Sequence, residues 1–85
     1  MDHDKWNKEK IDGENKLTAN FEFTNFIEAT NFVQKIVPIA EEMQHHPDIF
    51  IHDYKKVKIT LFTHDQSKIT DKDYSLAQKI DQIIS

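Results

Sequence analysis

Residues 15–23 read NKLTANFEF, and apolar side chains alternate with polar ones along this stretch. The apolar set comprises Leu17, Ala19, Phe21 and Phe23. The polar set between them comprises Lys16, Thr18, Asn20 and Glu22. A period of two residues is typical of a β-strand that is buried on one face only. The stretch therefore predicts a sheet with one covered face and one face open to solvent, a ligand or a partner.

The residues that precede this strand predict a β-hairpin. Asp12-Gly13 is a dipeptide that favours a two-residue turn between antiparallel strands. It separates residues 15–23 from a weaker strand over Lys5–Ile11, which has few apolar side chains. We therefore expect the first two strands to pair with each other.

After residue 23 the apolar period changes to that of a helix. Asn25, with Glu28 three residues later, has the pattern of a helix N-cap. The pattern predicts an amphipathic helix from Phe26 to Gln44, bent at Pro38 and ended before Pro47. Its predicted buried stripe is Ala29, Phe32, Val33, Ile36, Val37, Ala40 and Met43.

The C-terminal half of the chain predicts two more strands and a second helix. The strands are expected over Asp48–Tyr54 and Lys56–Thr63, and the second of them alternates clearly. Thr70, with Asp73 three residues later, predicts the N-cap of the last helix. The predicted buried stripe of that helix is Leu76, Ala77, Ile80, Ile83 and Ile84.

The order strand, strand, helix, strand, strand, helix sets the fold class. Short links between consecutive strands favour antiparallel pairing, and two one-sided helices pack on one face of the sheet. We therefore predict an α+β, two-layer sandwich with a four-stranded antiparallel sheet, in the order ββαββα. The 85 residues form one domain, in which we expect residues 1–4 to be disordered.

The composition narrows the possible functions. The chain has no cysteine and a net charge of −4, and all 11 basic residues are lysines. These counts disfavour thiol chemistry, disulfides and direct nucleic-acid binding, for which arginine is the commoner contact. No apolar run approaches the ~20 residues that span a bilayer, and the charged N-terminus lacks a signal-peptide core. We expect a soluble cytoplasmic protein with no membrane association.

Histidine placement is the unusual feature of the chain. His45 and His46 are adjacent at the predicted end of the first helix, and His64 follows the fourth strand. Glu41 lies four residues before His45, which predicts one shared helix face. A histidine side chain has an unperturbed pKa of about 6.5 and therefore suits proton transfer near neutral pH.

Simpler interpretations of these residues exist. The histidine pair can interact with the helix dipole and cap the last carbonyl groups. Glu41, His45 and His64 can instead form a metal site, although the usual His-x-x-x-His spacing is missing. Asp73 alone is explained by capping, and Tyr54 alone by packing. Single residues leave all of these alternatives open.

The ordered combination resembles the pterin-4a-carbinolamine dehydratase family, the 4a-hydroxytetrahydrobiopterin dehydratases with the dimerisation-cofactor fold. Around the central His45-His46-Pro47, the matching positions are Glu41, Tyr54, His64 and Asp73, at the spacing of the family signature. The segment Phe21–Phe26 is also similar to the family, and the resemblance extends from about Trp6 to Ile84. The family usually has a short helix before the tryptophan, which we expect to be missing here.

The resemblance implies an enzyme, a lyase that dehydrates 4a-hydroxytetrahydropterin to quinonoid dihydropterin in tetrahydrobiopterin recycling. It implies no cofactor and no metal, because the reaction needs only a general acid and a general base. Carried over residue by residue, it makes His45 and His64 the proton-transfer residues and His46 a catalytic-site residue that binds the pterin. Glu41 is expected to orient His45. Supporting or substrate-binding roles fall to Pro47, Asp48, Tyr54 and Asp73.

The resemblance also implies protein partners. Some family members act as dimerisation cofactors of a transcription factor through a helix surface, so an interaction module on the same fold is the alternative function. We expect a homodimer or homotetramer, because a small core, an open sheet face and an edge strand all favour self-association. A metal-binding domain is the third hypothesis.

Overall fold

The computed structural model describes residues 6–84 and confirms the predicted fold class. The elements are β1 (Asn7–Ile11), β2 (Glu14–Glu22), α1 (Phe26–Met43), β3 (Asp48–His52), β4 (Lys56–Leu61) and α2 (Asp71–Ile84). The four strands form one antiparallel sheet in the order β1-β2-β4-β3, so β1 and β3 are its edges. The expected disorder of residues 1–4 concerns positions outside the described residues. No helix within residues 6–84 has the length and apolarity that crossing a membrane requires.

The hairpin forms where Asp12-Gly13 predicts it. Asp12 and Gly13 have φ angles of 52° and 82°, and Ile11 pairs with Glu14 across the turn. Positive φ at both central positions is the geometry that matches the twist of the flanking strands. The second strand can therefore pair along the whole of β1.

One face of the sheet and both helices share a single core. The buried apolar residues are Trp6, Leu17, Ala19, Phe21, Ala29, Phe32, Ile36, Val57, Ile59, Leu61, Leu76, Ala77 and Ile80. The stripes predicted for the helices were too wide, because Val37 is 52% exposed and Ile84 is 37% exposed. Thr18, predicted on the open face, is buried as well, and its hydroxyl donates to Glu9 at 3.1 Å.

The ends of α1 determine where the histidine pair lies. Asn25 caps the helix, with its side chain accepting from the Glu28 backbone at 2.9 Å. Gln44 ends the helix in the left-handed conformation, at φ 54° and ψ 39°. The helix therefore stops at Met43, and His45 lies beyond it. The prediction that Glu41 and His45 share one helix face was wrong for this reason.

The segment between β4 and α2 positions the third histidine. Strand β4 ends at Leu61, two residues before the predicted Thr63, but Thr63 still forms an isolated bridge with Lys68. The bridge consists of Thr63 N–H to Lys68 O at 3.0 Å and Lys68 N–H to Thr63 O at 3.4 Å. The turn that it closes contains His64. These two hydrogen bonds fix the backbone of Thr63 against the backbone of Lys68.

Trp6 anchors the start of the described chain to the last helix. Its indole N–H donates to Asp81 Oδ1 at 3.0 Å, and its ring packs edge-on against Phe21 at 6.0 Å. No role was predicted for Asp81 from the sequence, because a carboxylate on a helix is ordinarily solvated. Its burial depends on contact between residues 75 positions apart.

Candidate active site

The three histidines of the predicted site, His45, His46 and His64, line one open cleft of about 330 Å³. The cleft lies where the end of α1, the turn after β4 and the start of α2 meet. Its lining is Gln44, His45, His46, Phe62, His64, Asp65 and Lys72. A volume near the lower end of the usual range for small-molecule sites fits a compact ligand.

His45 is the buried member of the histidine pair. Only 9% of the residue is exposed, and its backbone N–H donates to Ala40 O at 3.1 Å across the end of the helix. Its ring Nε2 lies 2.5 Å from Asp73 Oδ1, a residue of α2 with no exposed surface. The left-handed turn at Gln44 redirects the chain so that this ring points toward α2. A carboxylate and an imidazole in such contact form a strong, charge-assisted pair when the histidine is protonated.

Asp73 has two further donors on its other oxygen. Oδ2 accepts from the Thr63 hydroxyl at 2.8 Å and from the Thr70 backbone N–H at 2.9 Å. The contact with Thr70 is the capping interaction that the sequence predicts. The contacts with His45 and Thr63 were not predicted, because they join α2 to the segments that follow α1 and β4.

His46 points away from His45 and pairs with Glu41 instead. Its Nε2 lies 2.7 Å from Glu41 Oε2, and the two side chains are 60% and 63% exposed. The expected orientation of His45 by Glu41 is therefore corrected: Asp73 holds His45, and Glu41 holds His46. The cause is the early end of α1, which places His45 beyond the last turn.

His64 also lines the cleft and is solvent-exposed. Its ring packs edge-on against Phe62, with ring centroids 5.4 Å apart. Phe62 itself is buried, and the Lys16 ammonium lies 5.0 Å from its ring centroid. Phe62 was not predicted as a site residue, because its position within an alternating strand offered no distinguishing signal.

The remaining predicted site residues lie around the cleft or away from it. Pro47 is half-buried and directly follows His46, and Asp48 is exposed at the start of β3. Tyr54 is 61% exposed in the turn after β3, at the far end of that strand from the histidine pair. The structure therefore brings Pro47 and Asp48 close to the site along the chain but leaves Tyr54 outside the cleft lining.

The hypothesis of a metal centre gains no support from the geometry. Within residues 6–84, no group of three or more histidine, aspartate or glutamate side chains is arranged to hold a metal ion. Glu41 is engaged with His46 and His45 with Asp73, so the three suggested ligands do not converge.

Comparison with known families identifies the class of protein to which this fold and its histidine cleft belong. The profile described as Pterin 4 alpha carbinolamine dehydratase matches residues 1–83, and the chain belongs to this family. The resemblance inferred from the signature residues is thereby confirmed.

Similar sequences come from archaea and cyanobacteria. A protein of Sulfolobus acidocaldarius is 49% identical over 69 residues, which cover 81% of this chain and 75% of that protein. A protein of Picosynechococcus is 50% identical over 74 residues, or 87% of this chain and 77% of the relative. Both carry the provisional name pterin-4-alpha-carbinolamine dehydratase.

Two solved structures show the same fold. The crystal structure of a transcriptional coactivator/pterin dehydratase from Brucella melitensis has a TM-score of 0.86 and 34% identity, covering 96% of this chain and 84% of that one. A pterin dehydratase-like protein that serves as a RuBisCO assembly factor in the alpha-carboxysome has a TM-score of 0.75 at 21% identity, with 94% and 89% covered. The second likeness concerns the fold alone.

Proposed function

We propose that this protein is a 4a-hydroxytetrahydropterin dehydratase that acts in the cytoplasm in tetrahydrobiopterin recycling. The observation that carries the proposal is the cleft that is lined both by the histidine of a buried histidine–carboxylate pair and by a second, exposed histidine. The family membership supplies the substrate class, and the geometry supplies groups that fit its chemistry.

The proposed reaction is the loss of one water molecule from the pterin. The bond between C4a and the hydroxyl oxygen breaks, and the leaving hydroxyl takes a proton to become water. N5 loses its proton as the new C=N bond forms, so the proton count balances and no electrons are exchanged with a cofactor. General acid and general base catalysis each contribute roughly 10²–10⁴ in rate.

His45 and His64 are the residues proposed to move these protons. His45 is held by Asp73 through Nε2, so its Nδ1 is the nitrogen that can exchange a proton with the pterin. His64 lines the same cleft, and its ring has no hydrogen-bonded partner among the described residues, which leaves both ring nitrogens available. Two imidazoles in one cleft can serve the leaving hydroxyl and N5 of one bound ring.

The other site residues are proposed to bind the pterin and shape the cleft. His46, held by Glu41, lines the mouth, and Pro47 directs the chain from the pair into β3. Strand β3 pairs only with β4 within the described residues, so the backbone groups on its outer edge from Asp48 to Ile51 can pair with the amide-like edge of the pterin.

A coupled assay tests the proposal. The carbinolamine is generated in situ, and formation of the quinonoid product is followed by absorbance with and without the protein. The wild type should exceed the spontaneous rate, and His45→Ala and His64→Ala should each lose about a hundredfold of the enzymatic rate. His52→Ala is the matched control, because His52 lies on β3 outside the cleft and should retain full activity.

An inactive wild type would contradict the enzymatic proposal. The family's alternative function, an interaction module and transcriptional cofactor that works through a helix surface, would then take precedence. A second proposal concerns the oligomeric state: we propose that the protein forms homodimers or homotetramers, which the exposed apolar residues Phe26, Ile27 and Val37 on α1 support. Sedimentation equilibrium at several concentrations measures the assembly, and a monomer throughout would contradict it.

A further inference from the structure

We propose that Thr63 is a positioning residue, whose hydroxyl holds Asp73 so that His45 keeps its proton on Nε2 and presents Nδ1 to the cleft. The expected effect of Thr63 on turnover rests on the proposed dehydratase function. The claim about the tautomer of His45 depends only on the geometry of the buried cluster.

The hydrogen bonds on Asp73 divide between its two oxygens. Oδ2 accepts from the Thr63 hydroxyl and the Thr70 backbone N–H, at 2.8 and 2.9 Å. Oδ1 accepts from His45, at 2.5 Å. Two donors on Oδ2 fix the rotation of the carboxylate and leave Oδ1 for the imidazole.

The direction of each hydroxyl bond follows from proton counting. An ionised carboxylate only accepts, and a hydroxyl has one proton to give. The Thr63 hydroxyl donates to Asp73, so in its contact of 2.7 Å with the Thr70 hydroxyl it must accept. The Thr70 oxygen in turn accepts from the Lys72 backbone N–H at 3.3 Å. The Lys72 backbone N–H and the two threonine hydroxyls therefore donate along one path that ends at Asp73 Oδ2.

The same counting assigns the proton on His45. With Asp73 as the acceptor, the proton between the two side chains belongs to Nε2 of the imidazole. Neutral His45 then carries its lone pair on Nδ1, where it can take a proton, and the protonated ring donates from the same atom. Thr63 thus acts on the reaction without touching the substrate.

Burial makes the Thr63 hydroxyl hard to replace. Thr63 is 3% exposed and Asp73 is 0% exposed, so solvent has little access to a donor position that a mutation leaves empty. Losing a donor to a buried charge costs more than losing one at the surface. A carboxylate turned away from His45 becomes more favourable in that case.

The backbone of Thr63 is held independently of its hydroxyl by the bridge to Lys68. The hydroxyl can therefore be varied in two matched pairs. Thr63 and Thr63→Val share a branched shape, whereas Thr63→Ser and Thr63→Ala both lack the methyl group. In each pair one member has the hydroxyl and the other does not.

The experiment measures kcat, KM and the ¹⁵N chemical shifts of the histidine rings for all four proteins. In the wild type and Thr63→Ser, we expect neutral His45 to show a protonated Nε2, and kcat to agree within about threefold. In Thr63→Val and Thr63→Ala, we expect a mixture of tautomers and a kcat lower by about tenfold or more, with little change in KM. The His52 ring provides the internal reference and should not change.

Agreement of the wild type with Thr63→Val in both tautomer and kcat would overturn the proposal, because shape rather than the hydroxyl would then matter. If Thr63→Val does not fold, the Ser and Ala pair makes the same comparison. If the wild type lacks dehydratase activity, the proposed function fails while the ¹⁵N comparison still decides the role of Thr63. A wild-type His45 protonated on Nδ1 would overturn the proposal outright.

Discussion

His45 and His46 are neighbours in the chain, and each pairs with one carboxylate, yet their surroundings differ sharply. The His45 and Asp73 side chains are 10% and 0% exposed, whereas those of His46 and Glu41 are 60% and 63% exposed. Leaving a buried polar or charged group without its partner costs about 1–3 kcal/mol or more, but an exposed pair contributes about 0–1 kcal/mol. One dipeptide therefore supplies both a rigid group held in the core and an adaptable group at the surface.

The largest effect is expected from Asp73→Asn. The amide keeps the shape of the carboxylate but carries no charge, and its NH₂ group must face either His45 or the donors from Thr63 and Thr70. We expect the free energy of unfolding to fall by about 3 kcal/mol and dehydratase activity to fall by about a hundredfold. Urea denaturation and the coupled assay measure the two changes.

Asp71→Asn is the matched control for that substitution, because Asp71 is an exposed carboxylate in the same first turn of α2. It should lose less than about 1 kcal/mol through its interaction with the helix dipole. Equal losses from the two variants would show that helix capping, rather than the pair with His45, explains the importance of Asp73.

The next effect separates the two histidines directly. His45→Ala removes the donor to the buried Asp73 and should lower the free energy of unfolding by about 2 kcal/mol. His46→Ala removes an exposed pair and should change it by less than about 1 kcal/mol. Thermal or urea unfolding of both variants gives the comparison, and similar losses would contradict the assigned environments.

The smallest effect is expected from Glu41→Gln. The substitution keeps the length of the side chain but removes the charge opposite His46, so stability should change by no more than about 0.5 kcal/mol. We expect KM for the pterin to rise a few-fold with kcat nearly unchanged, as when uniform binding is weakened. A fall in kcat with constant KM would instead place Glu41 in the proton-transfer machinery.

Salt should distinguish the pairs without any mutation. Exposed charges are screened at high ionic strength, whereas buried ones are screened much less. The difference in unfolding free energy between the wild type and Glu41→Gln should shrink toward zero in about 1 M NaCl. The corresponding difference for Asp73→Asn should persist, and its disappearance would show that the cluster is hydrated.

Much of the fold was predictable because its determinants are local. The alternation of residues 15–23, the Asp12-Gly13 turn and the Asn25 cap each depend on residues within a few positions of one another. The errors lay where a helix meets its neighbours: Val37 was assigned to the core from its spacing, but about half of it is exposed in the described chain. Spacing indicates which side of a helix is apolar, but not how wide the covered strip is.

The sequence predicted which residues form the site better than it predicted which of them contact one another. The signature residues from Glu41 to Asp73 identified the family, yet the partner of each histidine was assigned wrongly or left open. The reason is the left-handed residue at Gln44, which ends α1 two residues before His45, so that His45 does not share a helix face with Glu41. A non-glycine residue in that conformation gives little warning in the sequence.

The amino-acid order alone thus specified the strands, the helices, their caps and the family, since short-range sterics and hydrogen bonds act between near neighbours. Only the packing of α2 against the segments that follow α1 and β4 created the buried cluster, in which Asp73 meets His45 across 28 positions and Thr63 across 10. The energy of such contacts comes from excluding water around them. That exclusion is a property of the assembled layers and of no single stretch of chain.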